Sequence, residues 1–191
     1  MYLVLTALVT PMNASHPALI YVIAASAVAL AGAVHDARTR RIPNKLTGPA
    51  LLAGLLLHFA FDGWRGMGMA ALAALLAFVV FLVFFLAGGM GAGDVKLMTA
   101  VACVAGNHFV IELLVTTAIA GGVMALGLAL ARGRFKQTLG NVAMLMSHHR
   151  HAGLQPHPEL NVRNQQSLRL PYGLAIAAGC IFTLASTYVR G

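Results

Sequence analysis

Five carboxylate side chains occur in the 191-residue chain: Asp36, Asp62, Asp94, Glu112 and Glu159. Two of them stand inside dense local patterns. Asp36 opens the run Asp36-Ala37-Arg38-Thr39-Arg40-Arg41-Ile42-Pro43-Asn44, and Asp94 lies in Gly91-Ala92-Gly93-Asp94-Val95-Lys96. Each marks a place where a long apolar run meets a basic segment. A carboxylate at a membrane boundary is costly, which makes it a functional-site candidate. Brought together, Asp36 and Asp94 could form a catalytic pair. Two carboxylates that share a site do not both ionise cheaply, so one keeps its proton while the other is ionised. Because a coupled pair titrates as a unit, neither role is assigned to either residue from sequence.

The elements that must position this pair follow from composition. The chain is 59% hydrophobic and 9% charged, with a mean hydropathy of +0.81. Soluble chains carry roughly 25% charged residues, so this is an integral membrane protein. Apolar residues run continuously instead of alternating, which predicts an all-α bundle and not an outer-membrane barrel. Cys103 and Cys180 fall inside apolar stretches and read as small buried residues, with no CxxC pair to suggest a metal or disulfide framework. The first ten residues lack a basic n-region, so a cleaved signal peptide is not expected. The net charge of +8 is not read as a sign of nucleic-acid binding in a membrane protein.

Six apolar segments can be read, at about 17–34, 46–61, 67–90, 95–106, 109–131 and 170–189. The second is short, and the fourth reaches only about 18 Å as a helix, below the length of an ordinary crossing. The charge pattern nonetheless favours counting it. With the N-terminus outside, segments 35–45, 91–96 and 132–169 lie inside and hold eleven of the thirteen Lys and Arg residues, leaving Arg65 and Arg190 outside. The positive-inside rule thus predicts about six transmembrane helices in one bundle, with both termini outside. On this topology Asp36 ends the first span and Asp94 begins the fourth, both on the cytoplasmic side. Asp62 and Glu112 lie on the opposite side. The whole chain, 1–191, reads as a single transmembrane domain. Its one sizeable loop is 132–169, where Leu139, Val142, Ala143 and Met146 have the spacing of a short interfacial helix.

The neighbours of the two aspartates have plainer readings too. Asp36 beside Arg38, Arg40 and Arg41 could be a topogenic boundary at a helix end. Pro43 keeps Ile42 out of helical geometry, and Asn44 is placed to cap the next helix. Gly88, Gly89, Gly91 and Gly93 suit a loop entering the membrane edge, or a flexible connection. They are not a nucleotide cradle, lacking GK[ST] and a preceding strand. Lys96 is expected to snorkel to the interface, with tuning of a carboxylate as the alternative. His148, His149, His151 and His157 lack the partners of a metal site and read as a solvated loop. Asn13-Ala14-Ser15 fits a glycosylation sequon only as a chance pattern, and Gly121-Gly122 reads as a helix-packing position.

Taken together, the motifs resemble those of type IV prepilin peptidases, aspartic proteases of the bacterial cytoplasmic membrane. Asp36, Arg38, Ile42, Pro43 and Asn44 match the family's Asp-x-Arg…Ile-Pro-Asn signature. Gly91, Gly93, Asp94 and Lys96 match its Gly-x-Gly-Asp-x-Lys signature, and Leu170-Pro171-Tyr172-Gly173 is similar to the motif opening its last helix. The larger family members carry a cytoplasmic insert with paired CxxC zinc ligands and methylate the mature pilin. This chain has neither insert nor CxxC, and so resembles the short, peptidase-only form found in Flp/Tad pilus systems, for which methylation is not expected.

The resemblance implies Asp36 and Asp94 as catalytic residues. Arg38, Pro43, Asn44, Gly91, Gly93, Lys96 and Pro171 are the supporting residues. No cofactor and no metal are implied. The ionised aspartate would activate water to attack the scissile carbonyl, while the protonated one donates to its oxygen. The implied partners are the lipid bilayer and a prepilin or pseudopilin substrate, a basic leader followed by an apolar helix, cut at the cytoplasmic face after a glycine. The short second and fourth spans would leave a thin, water-accessible notch beside the pair. Because the leader is basic like the inside loops, recognition is expected through the substrate's apolar helix, with Arg38 or Lys96 free to meet an acidic residue early in the mature pilin. A presenilin-like protease shares Gly-x-Gly-Asp but lacks the Asp-x-Arg…Ile-Pro-Asn turn. A proton-coupled carrier or assembly subunit would use the aspartates as relays or helix glue, and carriers usually show internal repeats that are not visible here.

Overall fold

In the computed structural model, residues 16–133, 140, 144 and 171–190 are described. They form five helices: α1 (His16–Thr39), α2 (Asn44–Leu86), α3 (Ala92–Ala105), α4 (Val110–Ala131) and α5 (Tyr172–Arg190). All six apolar segments read from the sequence fall mainly in helices at the described residues. Four helices are long and apolar enough to cross a membrane, namely α1, α2, α4 and α5.

The long α2 accounts for two of the apolar segments. At about 1.5 Å per residue a straight helix of this length would reach about 65 Å, twice the roughly 30 Å hydrocarbon core. Gly63, at φ 65° and ψ −158°, breaks it. This left-handed backbone is open to glycine and strained for residues with a Cβ. The legs on either side, 44–62 and 64–86, fold back on each other. Leu51 and Leu55 of the first leg pack against a cluster of Ala70, Ala74 and Cys103. The two ends of α2 are therefore neighbours, and the loop after Leu86 delivers α3 beside Asn44.

α3 is the centre of the bundle. Nine of its fourteen residues are buried, including Leu97, Met98 and Val101 with no exposed surface. A helix apolar on all sides is one enclosed by protein. It packs most extensively on α2 and also on α1, while α1 packs on α5 and α5 on α4. Small residues allow close approach, as expected where lipid offers no hydrophobic drive between helices. A Cβ on Gly32 of α1 would come within 2.6 Å of Leu97 Cδ1, and one on Gly54 of α2 within 3.0 Å of the Val104 backbone. Cys103 and Cys180 are buried and free, as their positions imply. Of the glycine pair in α4, Gly121 contacts the α5 side, whereas Gly122 has open space where a side chain would be. Gly122 is thus not a packing position against the described residues.

The chain turns sharply between the first two helices. Arg40, at φ 53°, ends α1 in the left-handed region, and its N–H donates to the Asp36 carbonyl at 2.8 Å. Thr39 Oγ1 donates to the carbonyls of His35 and Arg41. Pro43 then stands extended as the N-cap of α2, with no side-chain cap bond. Asn44 is the first helical residue and not the cap expected of it. Pro43, with φ fixed by its ring and ψ at 140°, takes the extended cap position itself, so the helix starts at Asn44. The expected interfacial helix, the histidine cluster and the sequon lie outside the described residues.

Candidate active site

Asp36 lies in the last turn of α1 and is 8% exposed. Its burial is made by α5. Gly173, in the first turn of that helix, donates its backbone N–H to Asp36 Oδ2 at 3.2 Å. The first N–H groups of a helix have no partner within it and carry the positive end of the dipole, so they favour a carboxylate. The approach requires glycine. A Cβ at 173 would lie 3.1 Å from both Ala33 Cα and Asp36 Cβ.

Asp94 is held in the same way at another helix start. It occupies the first turn of α3, whose N-cap is Gly91. Gly91 N–H donates to Asp94 Oδ2 at 3.0 Å, which is the acid-to-backbone half of a capping box. Asp94 precedes the apolar part of α3 and lies outside the four candidate spans. Burial pushes its carboxyl up to about 6. The Gly91 N–H acts against that rise, and the nearby Asp36 charge adds to it. Tyr172, beside Gly173, lies within electrostatic reach of Asp94.

The packing explains why the two acids converge. Gly32 is one turn before Asp36 on α1, and Leu97 is one turn after Asp94 on α3, so each pair shares a helix face. The Gly32–Leu97 contact aims both acids at the same space. Two further contacts join the motifs. A Cβ on Gly93 would lie 3.2 Å from Ile42 Cβ, and Lys96 Nζ donates to Asn44 Oδ1 at 2.9 Å. Lys96 is exposed, as a snorkelling lysine would be, but its ammonium is bound to Asn44. Arg38 is exposed on the last turn of α1, Pro43 shapes the turn, and Pro171 accepts the Leu174 N–H at 3.0 Å to start α5. The α5 residue that hydrogen-bonds Asp36 is Gly173 rather than Pro171. Gly173 was legible only as part of a motif, because a backbone N–H carries no side-chain signature. Ile42, the surface on which Gly93 rests, was likewise visible only inside a motif.

Two further acids, Asp62 and Glu112, are engaged elsewhere among the described residues. Asp62 accepts the Tyr21 hydroxyl at 2.6 Å and lies 3.5 Å from His58 Nδ1. Glu112 accepts the Ser186 hydroxyl. Asp62 is far from Asp36, since its partner Tyr21 sits about 22 Å along α1 from that residue.

Fold and site define a helical membrane protein in which two carboxylates, each holding a backbone N–H at a helix start, lie at the same end of the bundle. The model of the type IV leader peptidase family matches residues 19–126, more than half of the chain, and the protein belongs to that family. It is a protease of the membrane-peptidase kind. The match includes Asp36 and Asp94 but ends ahead of Pro171, so the contribution of α5 comes from geometry. No curated protein and no solved structure matched the chain.

Proposed function

We propose that the protein is an aspartic endopeptidase that removes the basic leader from type IV prepilins or prepilin-like proteins, with Asp36 and Asp94 as its catalytic pair. The observation that carries this reading is the placing of Asp36 against the start of α5 and of Asp94 in the first turn of α3, on two helices that pack through Gly32 and Leu97, in a chain of the leader peptidase family. The whole chain acts as one membrane domain of six crossings, α2 supplying two and α3 a shortened one. Residues 132–169 form its cytoplasmic loop, both termini are outside, and the site faces the cytoplasm of a bacterial inner membrane.

The chemistry follows from the two environments. Asp94, with its raised proton affinity, keeps the proton. Asp36, which accepts the Gly173 N–H, takes one from water. That water attacks the scissile carbonyl as Asp94 donates to the carbonyl oxygen, giving a neutral gem-diol. Asp36 then returns its proton to the leaving amine as the C–N bond breaks, while Asp94 takes one back from a gem-diol hydroxyl, leaving both acids as they began. No acyl-enzyme forms. Arg38, Pro43, Asn44, Gly91, Gly93, Lys96 and Pro171 act by shaping and steadying the two helix ends.

Cleavage of a candidate prepilin in liposomes tests this reading. Wild type is expected to cut at the leader boundary. Asp36→Asn and Asp94→Asn are each expected to lose at least roughly a thousandfold in rate while remaining folded, the scale of removing an essential acid or base. Cutting that survives either change at a comparable rate would refute the pair.

A further inference from the structure

At the end of the bundle away from the two aspartates, α1, α2 and α3 meet in a second polar cluster. His58, in the first leg of α2, is 5% exposed. Its ring stacks on Tyr21 of α1, with centroids 4.0 Å apart. Its Nδ1 lies 3.5 Å from Asp62 Oδ2, and its Nε2 lies 3.2 Å from the carbonyl oxygen of Val104 on α3. Tyr21 donates its hydroxyl to the same Asp62 oxygen. The ring also fills the space over Gly106, where a Cβ would come within 2.6 Å of it. Val104 is in the last turn of α3, so its carbonyl lacks a helical partner and sits at the negative end of the dipole. An imidazole donor from another helix satisfies it.

The two helices joined through this cluster are the two that carry the catalytic pair. Tyr21 and Asp36 lie on α1 about 22 Å apart, and Val104 and Asp94 lie on α3 about 15 Å apart. Between them α1 and α3 touch through Gly32 and Leu97. α3 is also the short helix, about 21 Å long, so its far end stops inside the bundle and needs an anchor there. The cost of an unanchored end is a change in tilt, and tilt is converted directly into carboxylate separation.

We propose that His58 is a positioning residue. With Asp62 and Tyr21 it clamps the far ends of α1 and α3 and thereby sets the spacing of Asp36 and Asp94. This rests on the protease reading for its consequence, but not for its geometry. His58 touches neither substrate nor the reacting atoms. Its loss lowers turnover without changing how substrate is held.

Two variants and two readouts test the clamp. His58→Phe keeps a ring against Tyr21 and removes both polar contacts. His58→Gln retains a donor for the Val104 carbonyl. Spin labels at Ala37→Cys and Ala92→Cys, both exposed positions beside the aspartates, report the separation of α1 and α3 in detergent or liposomes. In prepilin cleavage, His58→Phe is expected to lower kcat roughly tenfold or more, since small misplacements of reacting groups cost about that. KM should stay within about twofold, and His58→Gln should recover part of the loss. The label distribution should be single and narrow in wild type, and broadened or shifted in His58→Phe. Should His58→Phe fail to fold, Tyr21→Phe removes one hydroxyl and is expected to broaden the distribution less. An unchanged distribution in the variant that folds overturns the clamp, as does a loss confined to KM. If wild type cleaves no prepilin, the protease reading fails while the label distances still decide the clamp.

Discussion

At the scale of single residues the site is two carboxylates, each given a different balance of burial and backbone donors. Asp94 holds its proton up to about 6, because burial and the Asp36 charge outweigh the Gly91 N–H. The sign of the pH dependence follows. Below that value the general acid is loaded, and as pH rises through it the proton is lost and the pair becomes two like charges. kcat/KM, which reports the free enzyme, is therefore expected to fall on the alkaline side of about pH 6. A profile rising through that region would contradict the assignment of Asp94 as the acid. Gly173 provides a second prediction. A Cβ there meets Asp36 Cβ and the Ala33 backbone at 3.1 Å, so Gly173→Ala pushes α5 from α1 and removes the best alignment of the N–H. A fall of roughly ten- to a hundredfold in kcat is expected, measured beside an unchanged melting profile of the detergent-solubilised protein.

At the scale of elements, the pair depends on the crossing of α1 and α3. The contact of Gly32 with Leu97 is the fulcrum, and it is steric. Gly32→Leu inserts a side chain where even a Cβ would be 2.6 Å from Leu97 Cδ1. It is expected to abolish most cleavage. Adding Leu97→Ala should restore part of it by freeing the volume, and a double-mutant cycle reads that coupling directly. Strictly additive losses would show that the two side chains do not share this space. By contrast, the Lys96–Asn44 bond is exposed, and exposed hydrogen bonds contribute little to stability, about 1 kcal/mol or less. Asn44→Ala should leave the fold intact and reduce rate by less than about tenfold in the cleavage assay. The reversal in α2 is of another kind. Gly63 is at φ 65° and ψ −158°, a region essentially reserved for glycine, and Gly63→Val would force a branched side chain into it at a cost of about 1–3 kcal/mol, visible as a lowered melting temperature.

At the scale of the whole molecule, the bundle keeps its two polar clusters at opposite ends, Asp36 with Asp94 at one and Tyr21 with His58 and Asp62 at the other. Thiol labelling from each side of the membrane should separate them. Cysteines replacing Arg38 and Gly133 are expected to react from the cytoplasmic side, and those replacing Trp64 and Asn107 from the other. All four reacting from one side would rule out the six-crossing topology. Much of this architecture was legible in the chain. Continuous apolar runs and the lopsided distribution of Lys and Arg depend only on composition along the sequence, and they marked every helix and put Asp36 and Asp94 at the same level. The two motifs marked the acids because a carboxylate beside glycines or arginines at a span end is rare. Local pattern did not reach the partners. Gly173 touches Asp36 across 137 residues of chain, and Val104 meets His58 across 46. A backbone N–H or a carbonyl has no residue identity that pattern can recognise. Asn44 was expected to cap a helix and instead binds Lys96, since one amide side chain can serve either partner and the packing of α3 against the start of α2 brings the lysine within reach. Residue type and order were enough to say which groups could do chemistry. Which of them touch, and which backbone atoms hold them, was settled by helix crossings, where the absence of a single Cβ sets the distance between two elements far apart in the chain.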